Sequence, residues 1–258
     1  MHRLTQDGNN YSVNYKRGYV DWFPAFRSQT VKGVFDFAYA MSFAKQGAHR
    51  DHRSGGHHHR KNGEVFINAL QGKLSELAVY NYFYQFNHSL FQQLSLPDFD
   101  IYGLSEWDDC DLKLKNKCFS IKSTKFYGDL LLLECKDWDK LGHYKPNQNN
   151  QKTSHFDYFI LVRIKPDGET LLRSKQLLYA DDVEKGFLFE LITKQEWHFD
   201  IPGYLSHKDL MSLITDQQRL PQGALLNNRI KMDADNYYVQ SGDLRSLEKL
   251  ISEMKNEL

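Results

Sequence analysis

The sequence predicts an α/β fold, and three observations carry that prediction. Two stretches with helical spacing of apolar residues precede any strong strand signal, two alternating runs around 112–121 form a candidate β-hairpin, and Asp157–Lys165 is an almost continuous apolar run. Helix, hairpin, buried strand and then mixed elements is the order of an α/β sandwich. At 258 residues the chain can bury a full core without staples, and it reads as one domain, 1–258.

The first thirty residues are polar and aromatic, without a clear period. Thr30 to Gln46 reads as a helix, capped by Thr30, with Val34, Phe35, Ala38, Met41 and Ala44 near helical spacing and Gly47 to end it. His49–Lys61 is basic and broken by glycines, hence a loop. Asn62 can cap a second helix over about 64–86, with Phe66, Leu70, Leu74 and Leu77 forming its stripe. Glu76 lies off that stripe, near Lys73 and Gly72, where a missing side chain would let a backbone or ligand approach. After Pro97 the chain turns extended through Phe99–Gly103.

The run Asp157–Lys165 is rich in aromatic and β-branched residues, as expected of a strand buried on both faces. Pro166-Asp167-Gly168 turns it, and Thr170–Leu172 and Phe187–Ile192 are weaker strand candidates. Ser206–Asp209 offers a capping box for a helix to about Arg219. Asp243 can cap a last amphipathic helix carrying Leu244, Leu247, Leu250, Ile251 and Met254.

Three cysteines (Cys110, Cys118, Cys135) without a Cys-x-x-Cys suggest neither a disulfide framework nor a tetrahedral zinc site, which points to the cytoplasm. The sequence offers no apolar leader and no stretch approaching the roughly 18 apolar residues of a membrane span, so no membrane partner is expected. Formal net charge is zero. Locally the signs are segregated: Glu106–Asp111 holds four acids in six positions, and Leu112–Gly128 holds five lysines and no acid. An enzyme that holds a cation with acids and steers a polyanion with lysines would show this pattern while neutral overall. A solvated hairpin kept soluble by its lysines would show it too.

The hairpin is where the chemistry concentrates. Leu112, Leu114, Phe119 and Ile121 fall on one side, with Lys115-Asn116-Lys117-Cys118 as the turn. If Lys115 pairs with Cys118, Asp111 lies opposite Lys122, and Ser120 shares their polar face. Phosphodiester hydrolysis at neutral pH needs such a pair: a carboxylate to hold a hard divalent cation, and a lysine to favour the attacking hydroxide or stabilise phosphorane charge.

A glutamate-bearing helix, then an Asp opening one strand, then x-x-Lys on the adjoining strand resembles the PD-(D/E)XK nuclease superfamily, which includes most Type II restriction endonucleases. The resemblance covers about residues 62–165. It implies a mixed central β-sheet flanked by helices, Mg²⁺ as cofactor, double-stranded DNA as substrate and a homodimer that cuts both strands. The N- and C-terminal elaborations would then serve DNA recognition or dimerisation. Residue by residue, it implies Asp111 for the metal, Lys122 for the attacking water, Glu76 as the helix carboxylate, and the Ile121 carbonyl as a further metal ligand. Ser120 stands where most members carry Asp or Glu. A minority of restriction enzymes have Ser-x-Lys and recover the acid from a glutamate about a dozen positions later, which here is Glu134. Asp109, one pleat from Asp111, is the rival donor. Pro97-Asp98 matches the family's name literally, but Asp98 has no hairpin partner.

Further candidates for DNA contact are Arg50, Arg53, Arg60 and Lys61 in the His-rich loop, Lys125 and Tyr127 just past the hairpin, and Arg229 and Lys231 in the Asn/Gln/Tyr-rich stretch 222–241. A plain loop at 49–61, and a packed turn at 222–241 with Asp233 and Asp235 satisfying local amides, are the competing structural readings. The alternatives to a restriction enzyme are a structure-selective repair or phage-defence nuclease of the same fold, and a DNA-binding module without catalysis.

Overall fold

The computed structural model describes residues 1–21, 23–44, 60–86, 92–100, 110–148 and 154–257. In chain order the elements are β1 (Thr5–Asp7), β2 (Asn10–Ser12), α1 (Ser28–Met41), α2 (Asn62–Phe86), β3 (Leu112–Leu114), β4 (Lys117–Lys125), β5 (Leu130–Glu134), α3 (Lys145–Gln148) and β6 (Tyr158–Lys165). There follow α4 (Gly168–Ser174), α5 (Lys185–Thr193), β7 (His198–Ser206), α6 (His207–Thr215), β8 (Arg219–Leu220), β9 (Leu225–Leu226), β10 (Ile230–Lys231), β11 (Asn236–Gln240) and α7 (Leu247–Glu257). The fold is mixed α/β.

The central sheet has the order β3-β4-β6-β7 and mixed sense, with β4 parallel to β6 and the outer pairs antiparallel. Alternation along β6 explains its almost continuous apolar sequence. Tyr158, Ile160, Val162 and Ile164 enter a core shared with Phe35 of α1 and Phe66, Leu70 and Leu74 of α2, whereas Phe159 and Leu161 enter a second core on the opposite face. That second core is closed by Leu131 and Leu133 of β5, Tyr237 and Val239 of β11, and Leu210 and Leu213 of α6. Strands β5, β11 and β8 form their own antiparallel sheet, whose far face packs Leu130 and Tyr238 against Leu4, Leu220 and Leu226. A small fourth layer, β1-β2-β9-β10, joins the N-terminal segment to residues 225–231.

Several local expectations need correction. Thr170–Leu172 and Phe187–Ile192 are helical: Asp167 accepts from the Thr170 amide to start α4, and Glu184 accepts from the Gly186 and Phe187 amides to start α5. The one-sided burial of Leu188 and Ile192 is the helical four-residue spacing. Helix α1 starts at Ser28 and ends at Met41, shorter than the apolar pattern suggests. The Ser42 hydroxyl bonds the Ala38 carbonyl there. Helix α2 matches its expected span, with Lys61 rather than Asn62 at its entry: the Lys61 amide donates to Glu64 Oε2 (3.0 Å). Helix α6 has the expected capping box between Ser206 and Asp209 but ends at Thr215, since Arg219 belongs to β8. Asp243 does not cap α7, which starts at Leu247; its carboxylate binds the His2 amide and Nδ1, each at 2.7 Å.

Strand β7 and strand β11 have no counterpart in the sequence reading. Strand β7 carries Pro202 and Gly203, tolerated because it is an edge strand whose pairing to β6 is interrupted beside Leu161 and Arg163. Gly203 has φ +147°, and a Cβ there would meet the Arg245 carbonyl oxygen at 2.2 Å.

Candidate functional site

The hairpin forms, with a different register. Leu112 pairs with Phe119, Lys113 with Cys118 and Leu114 with Lys117, so the two-residue turn is Lys115-Asn116, with φ +53° at Lys115. Asp111 therefore stands opposite Ser120, not Lys122. The Ser120 hydroxyl donates to Asp111 Oδ2 at 3.5 Å, and the Ile121 amide donates to the same oxygen. Lys122 lies two positions further along β4 and so keeps the face of Ser120. A diagonal cross-strand pair of this kind has Cα atoms about 7–8 Å apart, within reach of a lysine. Phe119 and Ile121 point the other way, into the core beneath α2.

The ladder between β3 and β4 stops at Leu112, and among the described residues the next stretch of the β4 edge has no strand partner. A strand residue turns its N–H and its C=O to the same side. Because the Ile121 amide points at Asp111, the Ile121 carbonyl points to that same edge. One carboxylate and one carbonyl thus share the edge beside Lys122. Asp109 lies outside the described residues. Two protein oxygens, completed by water and substrate phosphate, suit Mg²⁺, which typically binds through one or two carboxylates and keeps several waters.

The other expected acids have partners of their own. Glu76 pairs with the buried Lys73 ammonium at 2.6 Å, and that ammonium also donates to the Asp98 carbonyl and lies over the rings of Phe37 and Phe99. This tethers the 98–99 segment to α2. Nothing among the described residues comes within 4 Å of a Cβ built at Gly72, so no described backbone makes the close approach expected there. Glu134 is buried at the end of β5, opposite Asn236, with Lys136 Nζ 2.9 Å from its Oε1. Alternation groups Glu134 with Leu130 and Leu132, on the face of β5 turned away from the sheet that carries Lys122. Among the described residues no group of three or more His, Cys, Asp or Glu side chains is gathered for a metal ion.

The candidate DNA contacts divide. Arg50, Arg53 and the histidines 49–59 lie outside the described residues. Arg60 is half-buried ahead of α2, and Lys61 pairs with Asp181 at 2.9 Å. Lys125 binds Glu169 at 2.8 Å and Asp167 at 3.5 Å, while the Tyr127 hydroxyl donates to Asp167 at 2.7 Å. Burial would lower the Lys125 ammonium, but those carboxylates outweigh it and hold it above its ordinary range. These two residues fasten the end of β4 to α4. Arg229 and Lys231 are exposed around the β9–β10 turn. In the same stretch Asp235 accepts from the Gln222 amide at 2.8 Å, which is the packed-turn arrangement.

Two features have no antecedent in the sequence reading. Cys110 and Cys118 are joined as a disulfide, Cα–Cα 5.7 Å, which corrects the expectation of unpaired cysteines; Cys135 is free. Separately, His143, His155 and His207 gather from the loop after β5, the approach to β6 and the first turn of α6. The ring centroids of His155 and His207 are 4.2 Å apart, and those of His143 and His155 are 6.4 Å apart. Widely spaced single histidines give no sequence signal for this, whereas the run at 49–59 does. A cavity of about 380 Å³ beside Arg17, Phe23, Tyr82 and Glu248 includes none of the expected site residues.

The fold and site together define a mixed α/β protein with a carboxylate and a lysine beside one strand edge. No family model, curated protein or solved structure matches the chain. No helix among the described residues is long and apolar enough to cross a membrane.

Proposed function

We propose that the chain is a Mg²⁺-dependent endodeoxyribonuclease of the PD-(D/E)XK type, hydrolysing double-stranded DNA in the manner of a Type II restriction enzyme. The observation that carries this reading is the grouping at the β4 edge: Asp111 bonded to the Ile121 amide, with Lys122 on the same face. In this reading the Asp111 carboxylate and the Ile121 carbonyl hold the cation, which when bound supplies Lewis-acid polarisation of the scissile phosphate. The Lys122 ammonium faces the developing negative charge and orients the attacking water. Ser120 keeps Asp111 turned toward the edge. A homodimer acting in the cytoplasm would place two such edges on a twofold DNA site.

Incubating the purified chain with phage and plasmid DNA, with and without Mg²⁺, tests the proposal. Discrete Mg²⁺-dependent fragments support it. Cutting confined to branched or damaged DNA selects the structure-selective alternative. A second reading, a DNA-binding module without catalysis, is favoured by one observation: Asp111 is the one acid among the described residues that contacts the Ser120-Ile121 edge. Retarded DNA that remains intact in Mg²⁺ would select that reading.

A further inference from the structure

We propose that thiol–disulfide exchange at Cys110–Cys118 controls whether Asp111 is held against β4, so that the oxidation state of this pair regulates the site; the word site rests on the nuclease reading above. Strand β3 makes only three residue pairs with β4, the last being Leu112 with Phe119. Asp111 lies just beyond it, held by its amide bond to the Phe119 carbonyl (3.1 Å) and by its carboxylate on Ser120 and Ile121. Ser95 fastens Lys113 on the other side of β3, with both bonds at 2.7 Å, but a strand this short opens readily at its Asp111 end. The residue that prevents this is the next one upstream, Cys110, closed covalently onto Cys118.

The two cysteines are unequal. Cys118 is 3% exposed and fixed on both sides: its amide donates to Asp157 Oδ2 and its carbonyl accepts from the Asp157 amide, each at 2.9 Å. Cys110 is only half-buried and lies on the side that would move. The third thiol, Cys135, packs at the rim of the same apolar cluster, where burial pushes it up to about 11. It therefore stays protonated at neutral pH and does not compete in exchange. In a reducing compartment, a disulfide placed beside a functional residue belongs to the redox-sensing class rather than the structural one.

The exchange partner is a dithiol. One of its thiolates attacks Cys110 Sγ, a bond forms between those sulfurs, the protein S–S bond breaks, and Cys118 leaves as a thiolate that takes a proton. The second thiolate of the partner then attacks its own mixed-disulfide sulfur, closing a cyclic disulfide and releasing Cys110, which is also protonated. Two electrons pass to the protein, and the two protons lost by the dithiol are matched by the two gained by the cysteines. An oxidised dithiol drives the reverse.

The test uses the full chain, oxidised with diamide or reduced with dithiothreitol, with non-reducing peptide mapping and residue-level amide hydrogen exchange. A Cys110–Cys118-linked peptide is expected in the oxidised sample. Reduction is expected to speed exchange of the Ile121 amide by about tenfold or more, with Mg²⁺-dependent cleavage falling in parallel. Cys110→Ser is expected to match the reduced chain under both conditions, and the unaltered chain carries the comparison even if that variant folds poorly. Free thiols alone in the oxidised sample, or the same Ile121 exchange in both states, would overturn the proposal. If Ile121 responds to reduction but neither state cuts DNA, the switch stands and the nuclease reading falls.

Discussion

Arg163 on β6 and Asp200 on β7 form a buried two-point ion pair: Nε donates to Oδ1 at 2.8 Å and Nη2 donates to Oδ2. The same guanidinium donates to the Arg17 and Gly18 carbonyls at 2.8 and 2.9 Å, and Asp200 accepts from the Val20 amide. Burial pushes the Asp200 carboxyl up while Arg163 pulls it down. One pair thus pins the N-terminal segment to β6 and β7 of the central sheet.

Removing either partner strands the other. Arg163→Met and Asp200→Asn are each expected to lower unfolding free energy by about 3–5 kcal/mol. Chemical-denaturation midpoints check this, and a cost under about 1 kcal/mol for both would show the pair to be dispensable.

At the β4 edge, Asp111→Ala and Lys122→Ala are each expected to abolish Mg²⁺-dependent cleavage while leaving the far-ultraviolet circular dichroism unchanged. Glu134→Gln is the control, since its side chain faces away from Lys122, and its folded fraction should still cut. Full activity in either of the first two variants would move the chemistry elsewhere.

His207 makes stability depend on pH. Burial lowers its pKa first, His155 and His143 lower it further, and the Gly142 carbonyl and Asp157 oppose them. A base depressed in the folded state is less readily protonated there than in the unfolded chain, which titrates near about 6.5. Its contribution is complete above that value and is lost as pH falls from it through the depressed folded value. Urea midpoints measured from about pH 8 to about pH 5 should show this loss, with a smaller slope in His207→Gln.

Lys125 is expected to matter for stability rather than for DNA. Its ammonium is partly exposed, so Lys125→Met should cost about 1 kcal/mol or less and leave the salt dependence of DNA binding unchanged. A salt slope reduced by about one would restore it as a phosphate contact.

What was legible followed from patterns that survive translation along a strand. Reading the hairpin two residues out of register changed the residue opposite Asp111, but a shift of two preserves the face, so Asp111, Ser120 and Lys122 stay together. The almost continuous apolar run of β6, rich in aromatic and β-branched residues, pointed to a strand covered on both sides, and the stripe of α2 fixed that helix. Short apolar runs are ambiguous, and the helices α4 and α5 were decided by the carboxylates of Asp167 and Glu184 ahead of them. Strand β7 was hidden by Pro202 and Gly203, whose tolerance depends on an edge position that only the assembled sheet defines. The commitments of Glu76 to Lys73 and of Lys125 to Glu169 likewise arise from side chains meeting in the assembled fold.

The layer that couples β2 to β9 has a consequence for biosynthesis. Asn9 bonds the Gly223 carbonyl 214 positions away, and Asn10 pairs with Leu225. A ribosome releases the first strands long before their partners exist, so Tyr11 and Val13, which pack against a cluster that includes the late-arriving Leu220, Ala224, Leu226 and Met232, wait for it while most of the chain is translated. Until this sheet closes, the nascent chain carries two short strands without their partners, open to miscoupling with a neighbour.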